Sequence, residues 1–193
     1  MIDYIKGTIQ VTTPTYLIVE AGNIGYYLNI SLNTYTGLEG KNECRILVHE
    51  IIREDSHQLF GFIDKKERDI FRLLLSVSGV GAGTARMMLS SLTPEEIEKA
   101  ILSSDVNILK SIKGIGLKSA QRIVVDLKDK LGKPVGTSEI FASPDNTNRN
   151  EALSALVMLG FAKSAVVKVL EKLAREEKDL TVEDLIRKAL KNL

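Results

Sequence analysis

The 193-residue sequence predicts a multidomain α+β protein: a small β-barrel, an all-helical centre and a short helical bundle at the end. Three observations carry this. The first sixty or so residues are short runs of β-branched and aromatic residues separated by turn signals. The stretch Ser76 to Leu127 is a repeat of itself at an offset of 35 (114 − 79 and 120 − 85). Beyond a segment rich in Gly, Pro, Ser and Asn, three amphipathic stripes close the chain. With 44% hydrophobic and 26% charged residues, the composition is that of a soluble globular protein with room for two or three small domains.

Residues 1–63 read as strands. Ile2, Tyr4, Ile9 and Val11 belong to the first, Tyr16-Leu17-Ile18-Val19 to the second, and Tyr26 to Ile30, after the turn Gly22-Asn23, to the third. Arg45 to Ile52 and Gln58 to Phe62 are the fourth and fifth. Five short strands in this length predict an OB-fold-like barrel. Tyr26, Tyr27, Phe60 and Phe62 offer either a base-stacking platform or, the better reading, residues that fill and flank the barrel core. The barrel is acidic (residues 1–64: 4 − 8 = −4), which suits self-association better than a single strand of nucleic acid. Arg53-Glu54-Asp55-Ser56 forms a hairpin tip, Cys44 a small residue in or beside a strand, and His49 and His57 strand surface residues.

Residues 64–131 read as helical. Asp64-x-x-Glu67 is a capping box opening a helix with Ile70, Phe71, Leu74 and Leu75 on one face. Thr93, Pro94 and Glu96 open another, and Asp105 caps a third. Between them stand the two copies of apolar-x-Gly-apolar-Gly-x-x-x-Ala: Val77 to Ala85 and Ile112 to Ala120. The first glycine of each, Gly79 and Gly114, allows a positive φ. The second, Gly81 and Gly116, lets a foreign backbone approach the free N–H groups of the next helix, an anion site suited to phosphate. Ala85 and Ala120 let the helices pack closely. Two ordinary helical hairpins with C-cap glycines would explain one copy; two copies in register favour phosphate binding. The pair resembles the tandem helix-hairpin-helix motif of DNA-binding proteins that ignore base sequence. The charge agrees, since residues 65–132 carry 12 − 8 = +4.

Gly132 to Arg149 reads as a flexible linker, with Ile140 and Phe141 its bulky apolar pair. Residues 150–193 read as a three-helix bundle: a Leu153, Leu156, Val157 stripe ended by Gly160, a Val166, Val167, Leu170, Leu173 stripe, and a helix capped by Thr181 with Asp184 at its third position. A bundle so small on a tether suits docking to another protein, through the surface around Leu159 and Phe161.

One cysteine excludes an internal disulfide, and two histidines give no zinc cluster; the residues call for no metal and no cofactor. No basic-then-apolar leader or long apolar run is present, so the expected location is the cytoplasm. Gly116-Leu117-Lys118-Ser119 lacks the spacing of a P-loop. Asp126 follows the second hairpin as an acid does in helix-hairpin-helix glycosylases, but it falls inside a helix. No acid, base and nucleophile stand together, and the reading favours a non-enzymatic DNA-binding subunit. The alternatives are a helix-hairpin-helix nuclease or glycosylase, or its accessory subunit, and a scaffold without DNA affinity, against which the +4 centre argues.

The order of acidic barrel with Arg53-Glu54-Asp55 on a hairpin, Gln58 to Phe62, tandem hairpins, loose linker and three-helix tail resembles the bacterial RuvA family of Holliday-junction-binding subunits. The resemblance implies a homotetramer, alone or as two tetramers sandwiching four-way junction DNA. It implies that Gly79, Gly81, Gly114 and Gly116 present N–H groups to phosphates, with Lys118 and Arg122 as basic contacts. Glu54 and Asp55 would form an acidic pin at the crossover, and the tail would bind the hexameric ATP-driven motor RuvB, with the resolvase RuvC a further partner. Where the family often has Pro-Lys after the first Gly-x-Gly, this chain has Ala82-Gly83; the first hairpin thus loses a cation, and its grip is expected to rest more on backbone groups and on Arg86.

Overall fold

The computed structural model of the chain describes residues 1–131, 144–176 and 180–193, in two compact units, Met1–Val135 and Gly136–Leu193. The first unit opens with β1 (Tyr4–Thr12), β2 (Tyr16–Ala21), β3 (Ile24–Ile30), β4 (Glu43–Ile52) and β5 (His57–Phe62). They close into a barrel in the order β1-β2-β3-β5-β4. Only the β3–β5 pair is parallel. Alternation buries Leu17 and Val19, Leu28 and Ile30, Ile46 and Val48 inside. Closure brings β1 so near β2 that a Cβ at Gly7 would lie 2.0 Å from the Glu20 carbonyl oxygen. β1 also carries a bulge between Ile9 and Val11.

A helix that no sequence pattern announced, α1 (Leu32–Gly37), bridges β3 and β4. It is short, and Ser31 caps it by accepting from the Thr34 N–H at 3.1 Å. Then come α2 (Lys65–Leu75), α3 (Ala82–Ser91), α4 (Pro94–Leu102), α5 (Val106–Lys110) and α6 (Leu117–Leu131). The expected caps at Asp64, Thr93 and Asp105 all accept N–H groups of the following turn, and Thr93 with Glu96 completes a capping box. Phe60 and Phe62 differ from expectation. They are buried, but not in the barrel core: their rings lie 5.1 and 4.9 Å from that of Phe71 of α2, inside the helical core. A strand that is buried on both faces serves both cores, and these two rings are therefore no stacking platform. Of the other aromatics, Tyr26 packs on the barrel core while Tyr27 stacks on Tyr16 at 4.9 Å on the surface.

Glu67 also departs from expectation. Its side chain does not complete the Asp64 box but is buried against α1, accepting from the Ser31 and Thr34 hydroxyls. Thr34 in turn accepts the Ile63 N–H at 3.1 Å. Its neighbour Arg68, equally buried, donates to the Asp3 carboxylate at 2.7 Å and the Asp3 carbonyl at 2.9 Å. His49 is not a free surface residue: it lies edge-on to Phe71 and accepts from Arg72 Nε at 3.4 Å. Burial and the two nearby arginines hold its pKa down.

In the second unit α7 (Pro144–Met158), α8 (Lys163–Glu176) and α9 (Val182–Ala189) enclose Ala152, Leu156, Val166, Leu170, Leu173, Leu185 and Ala189. Gly160 takes the expected left-handed turn (φ 100°), and Thr181 accepts from the Asp184 N–H. The described part of α7 includes Pro144 to Arg149, which the sequence assigned to the linker. Residues 132–143, with Ile140 and Phe141, lie outside the described residues.

Burial is the main cause that pushes the Glu67 carboxyl above its ordinary value of 4.5, against the opposing hydroxyl bonds. The folded chain then holds this proton more tightly than the unfolded one, so Glu67 lowers stability progressively as pH rises above about 4.5. Glu67→Gln is expected to lose that decline, so that urea melts of variant and parent diverge as pH rises above about 4.5. Glu67→Ala, which orphans two hydroxyls, is expected to cost about 1–3 kcal/mol.

Candidate nucleic-acid interface

The two Gly-x-Gly stretches fold identically. Ser76 ends α2 and Ser111 ends α5, each donating its N–H back into its helix. Val77 and Val80 in one loop, Ile112 and Ile115 in the other, point into the helical core. Each pair is closed by one 3.0 Å bond, Val80 N–H to Val77 and Ile115 N–H to Ile112. The turn between them needs φ of 90° at Gly79 and 89° at Gly114, a region that L side chains resist. Ala85 and Ala120, fully buried, donate their N–H groups to Gly81 and Gly116 at 2.9 Å, the first bonds of α3 and α6.

Gly81 and Gly116 are different. Neither has a positive φ, and a Cβ at either would meet nothing within 4 Å. The fold therefore explains Gly79 and Gly114 but not Gly81 and Gly116. A glycine has no side chain with which to cap, and no acid stands in the first turn of α3 or α6. In α1, α2, α4, α5 and α9 a capping side chain takes an N–H of the first turn. The two hairpin helices present theirs, with the positive end of the helix dipole, to an open surface. Such free N–H groups are chemically suited to an anion such as a phosphate, and backbone groups of this kind carry no base readout.

Lys118 is exposed in the first turn of α6, and Arg122, one turn on, is exposed and donates to the Ser78 carbonyl at 3.4 Å. Arg86 ties α3 to the barrel, its Nη1 donating to the Thr15 carbonyl at 3.1 Å and to Asn29 Oδ1 at 3.0 Å, and so is drawn toward the barrel side of α3. Glu54 and Asp55 are exposed at the β4–β5 tip, which the Arg53 N–H closes onto the Ser56 carbonyl at 2.8 Å. At its base His57 Nε2 lies 2.7 Å from Glu50. Leu159 is 62% exposed, whereas Phe161 turns inward onto the second unit's core. Met158, next to Leu159 at the end of α7, is 88% exposed. Asp126 is half-buried in α6, and among the described residues no three His, Cys, Asp or Glu side chains gather as metal ligands.

Residues 1–61 match the family model described as the RuvA N terminal domain, 71–129 the SAM-like helix-hairpin-helix tandem, and 147–193 the RuvA C-terminal domain. Over the full length of both chains the sequence is 51% identical to the "Holliday junction branch migration complex subunit RuvA" of Christiangramia forsetii. It is 48% identical to that of Flavobacterium psychrophilum and 50% to that of Parabacteroides distasonis, again over the whole of each chain. The chain belongs to the RuvA family. Within a RuvA chain the tandem hairpins therefore sit on an OB-like barrel and are followed by a helical region, and among the described residues no helix is long and apolar enough to cross a membrane.

The two glycines of a hairpin are expected to separate in thermal melts. Gly79→Ala forces a side chain into φ 90° and should cost about 1–2 kcal/mol. Gly81→Ala meets no atom, and its weaker cap is offset by a less flexible unfolded chain, so its stability should stay within about 1 kcal/mol.

Proposed function

We propose that this chain is the non-catalytic DNA-binding subunit that recognises four-way junctions and brings a hexameric ATP-driven motor, RuvB, to them for branch migration. The observation that carries the reading is the pair of bare helix starts at Gly81 and Gly116, kept as glycine where the fold itself does not require it. The name carried by the full-length relatives supports the same substrate.

In this reading the chain has four parts: a barrel with an acidic pin (1–63), the DNA-binding hairpins (64–131), a linker (132–149) and a motor-docking tail (150–193). Backbone N–H groups of both hairpins take phosphates of a duplex arm, with Lys118 and Arg122 adding charge. A homotetramer places four hairpin pairs on four arms. It also gathers up to eight carboxylates, from Glu54 and Asp55 of each copy, at the crossover. Each carboxylate near a phosphate adds about 1 kcal/mol of repulsion in water, and more in a drier centre. The pin then disfavours a continuous duplex across the centre and separates strands on their way to new partners. It lowers affinity while raising selectivity for the junction.

Mobility shifts with four-way, duplex and single-stranded DNA at matched salt test this, with tetramer assembly verified. The junction should bind best, and neutralising the pin (Glu54→Gln with Asp55→Asn) should strengthen binding, most of all to plain duplex. Unchanged affinities and migration rate would reduce the tip to a turn. Cleavage of branched or damaged DNA by the chain alone with Mg²⁺ would move the reading to the nuclease class.

The tail is tested separately. Deletion from Asn150 onward should leave junction binding largely intact and abolish motor-driven migration. Loss of junction binding by a folded, tetrameric truncation would sink the assignment of the tail to docking.

A further inference from the structure

The two hairpins are alike in backbone and unlike in charge. At the offset of 35, the basic residues of the second, Lys113, Lys118 and Arg122, correspond to Ser78, Gly83 and Met87 of the first (113 − 35 = 78, 118 − 35 = 83, 122 − 35 = 87). Each basic position of the second copy is thus neutral in the first. Arg86, the first hairpin's own cation, is committed to the barrel through Thr15 and Asn29. Yet a guanidinium does stand at the first loop: Arg122 reaches across from α6 and donates to the carbonyl of Ser78, one residue before Gly79.

We propose that Arg122 supplies the cation that the first hairpin lacks, so that one side chain of the second hairpin completes the phosphate grip of the first. This rests on the phosphate-binding reading above. A guanidinium carries five N–H donors in a rigid fork, and the Ser78 bond takes one. That bond holds the group at the loop before any ligand arrives, and the remaining donors suit a phosphate. A lysine, with a single flexible ammonium, is less able to hold the loop and the anion together. The other α6 cation that reaches this loop is Lys130, whose Nζ lies 3.0 Å from Ser76 Oγ. It stands about 12 Å further along α6. It meets the carbonyl end of α2, where a cation balances the helix dipole and an anion is unwelcome.

The consequence is an energetic coupling between positions 83 and 122. Gly83 is exposed, in the first turn of α3, with open space around its missing Cβ, so Gly83→Lys is accommodated and restores a cation in place. Junction and duplex affinities across a salt series are measured for Gly83→Lys, for Arg122→Ala and for the two together. Lys118→Ala and Lys130→Ala, each with and without Gly83→Lys, serve as references, and melting curves confirm folding. For each copy engaged on the DNA, Arg122→Ala should weaken binding about fivefold and make the log–log salt slope shallower by about 0.9. Gly83→Lys should recover both losses in that background, and should gain clearly less in the parent, Lys118→Ala and Lys130→Ala proteins. Equal gains in every background would overturn the proposal and leave Arg122 to its own hairpin. Absence of binding by the parent chain to any DNA would overturn the phosphate reading and this inference with it.

Discussion

The structure of the first unit depends on a carboxylate taken out of water. Glu67 is 1% exposed, in the first turn of the helix that leaves the barrel. A buried carboxylate is tolerated only where hydrogen bonds replace its hydration. Here the donors come from the barrel side: the hydroxyls of Ser31 and Thr34, at the cap and in the first turn of α1. Thr34 also holds the Ile63 N–H, at the end of the last strand. One side chain thereby joins α1, the exit of the barrel and α2. Arg68 beside it reaches Asp3 ahead of the first strand, and Phe60 and Phe62 of β5 fill the helical core beneath. The directions of these bonds set how α2 leaves the barrel, which apolar contact alone leaves loose. α2 carries the first hairpin, so the attitude of the candidate phosphate site toward the barrel follows from this joint.

Within the helical part, each hairpin divides its work between residues of opposite character. Val77 with Val80, and Ile112 with Ile115, are anchors in a common core and hold the two loops at a set separation. Between the anchors Gly79 and Gly114 absorb a backbone conformation that no larger residue enters cheaply. Gly81 and Gly116 then keep side chains away from the helix starts. Hydrophobic burial thus positions two helix starts that no side chain caps, which is how a scaffold with little net charge comes to offer a candidate anion site. The asymmetry of charge between the copies is overlaid on this symmetry of backbone, and the Arg122–Ser78 bond joins the two.

Much of the architecture was legible in the residues because its determinants are local. Runs of β-branched and aromatic residues between turn signals marked the five strands, Asp64, Thr93, Asp105 and Thr181 marked helix starts, and the 35-residue repeat marked both hairpins with their glycines, since a turn of positive φ leaves a signature at one position. The tertiary structure decided what depends on contacts across the sequence. α1 is too short and too rich in β-formers to show in its own residues, and exists through the Ser31 cap and the burial of Thr34. Glu67 looks like half of a capping box until hydroxyls from 33 and 36 residues away claim its carboxylate. Phe60 and Phe62 are plainly buried residues, but which core receives them depends on where Phe71 lies. Arg86 and Arg122 are both cations near a hairpin in the sequence. Only the folded chain turns the first toward the barrel and lays the second across the neighbouring loop, because a long side chain's partner is chosen by the surfaces within its reach and not by its neighbours in the chain.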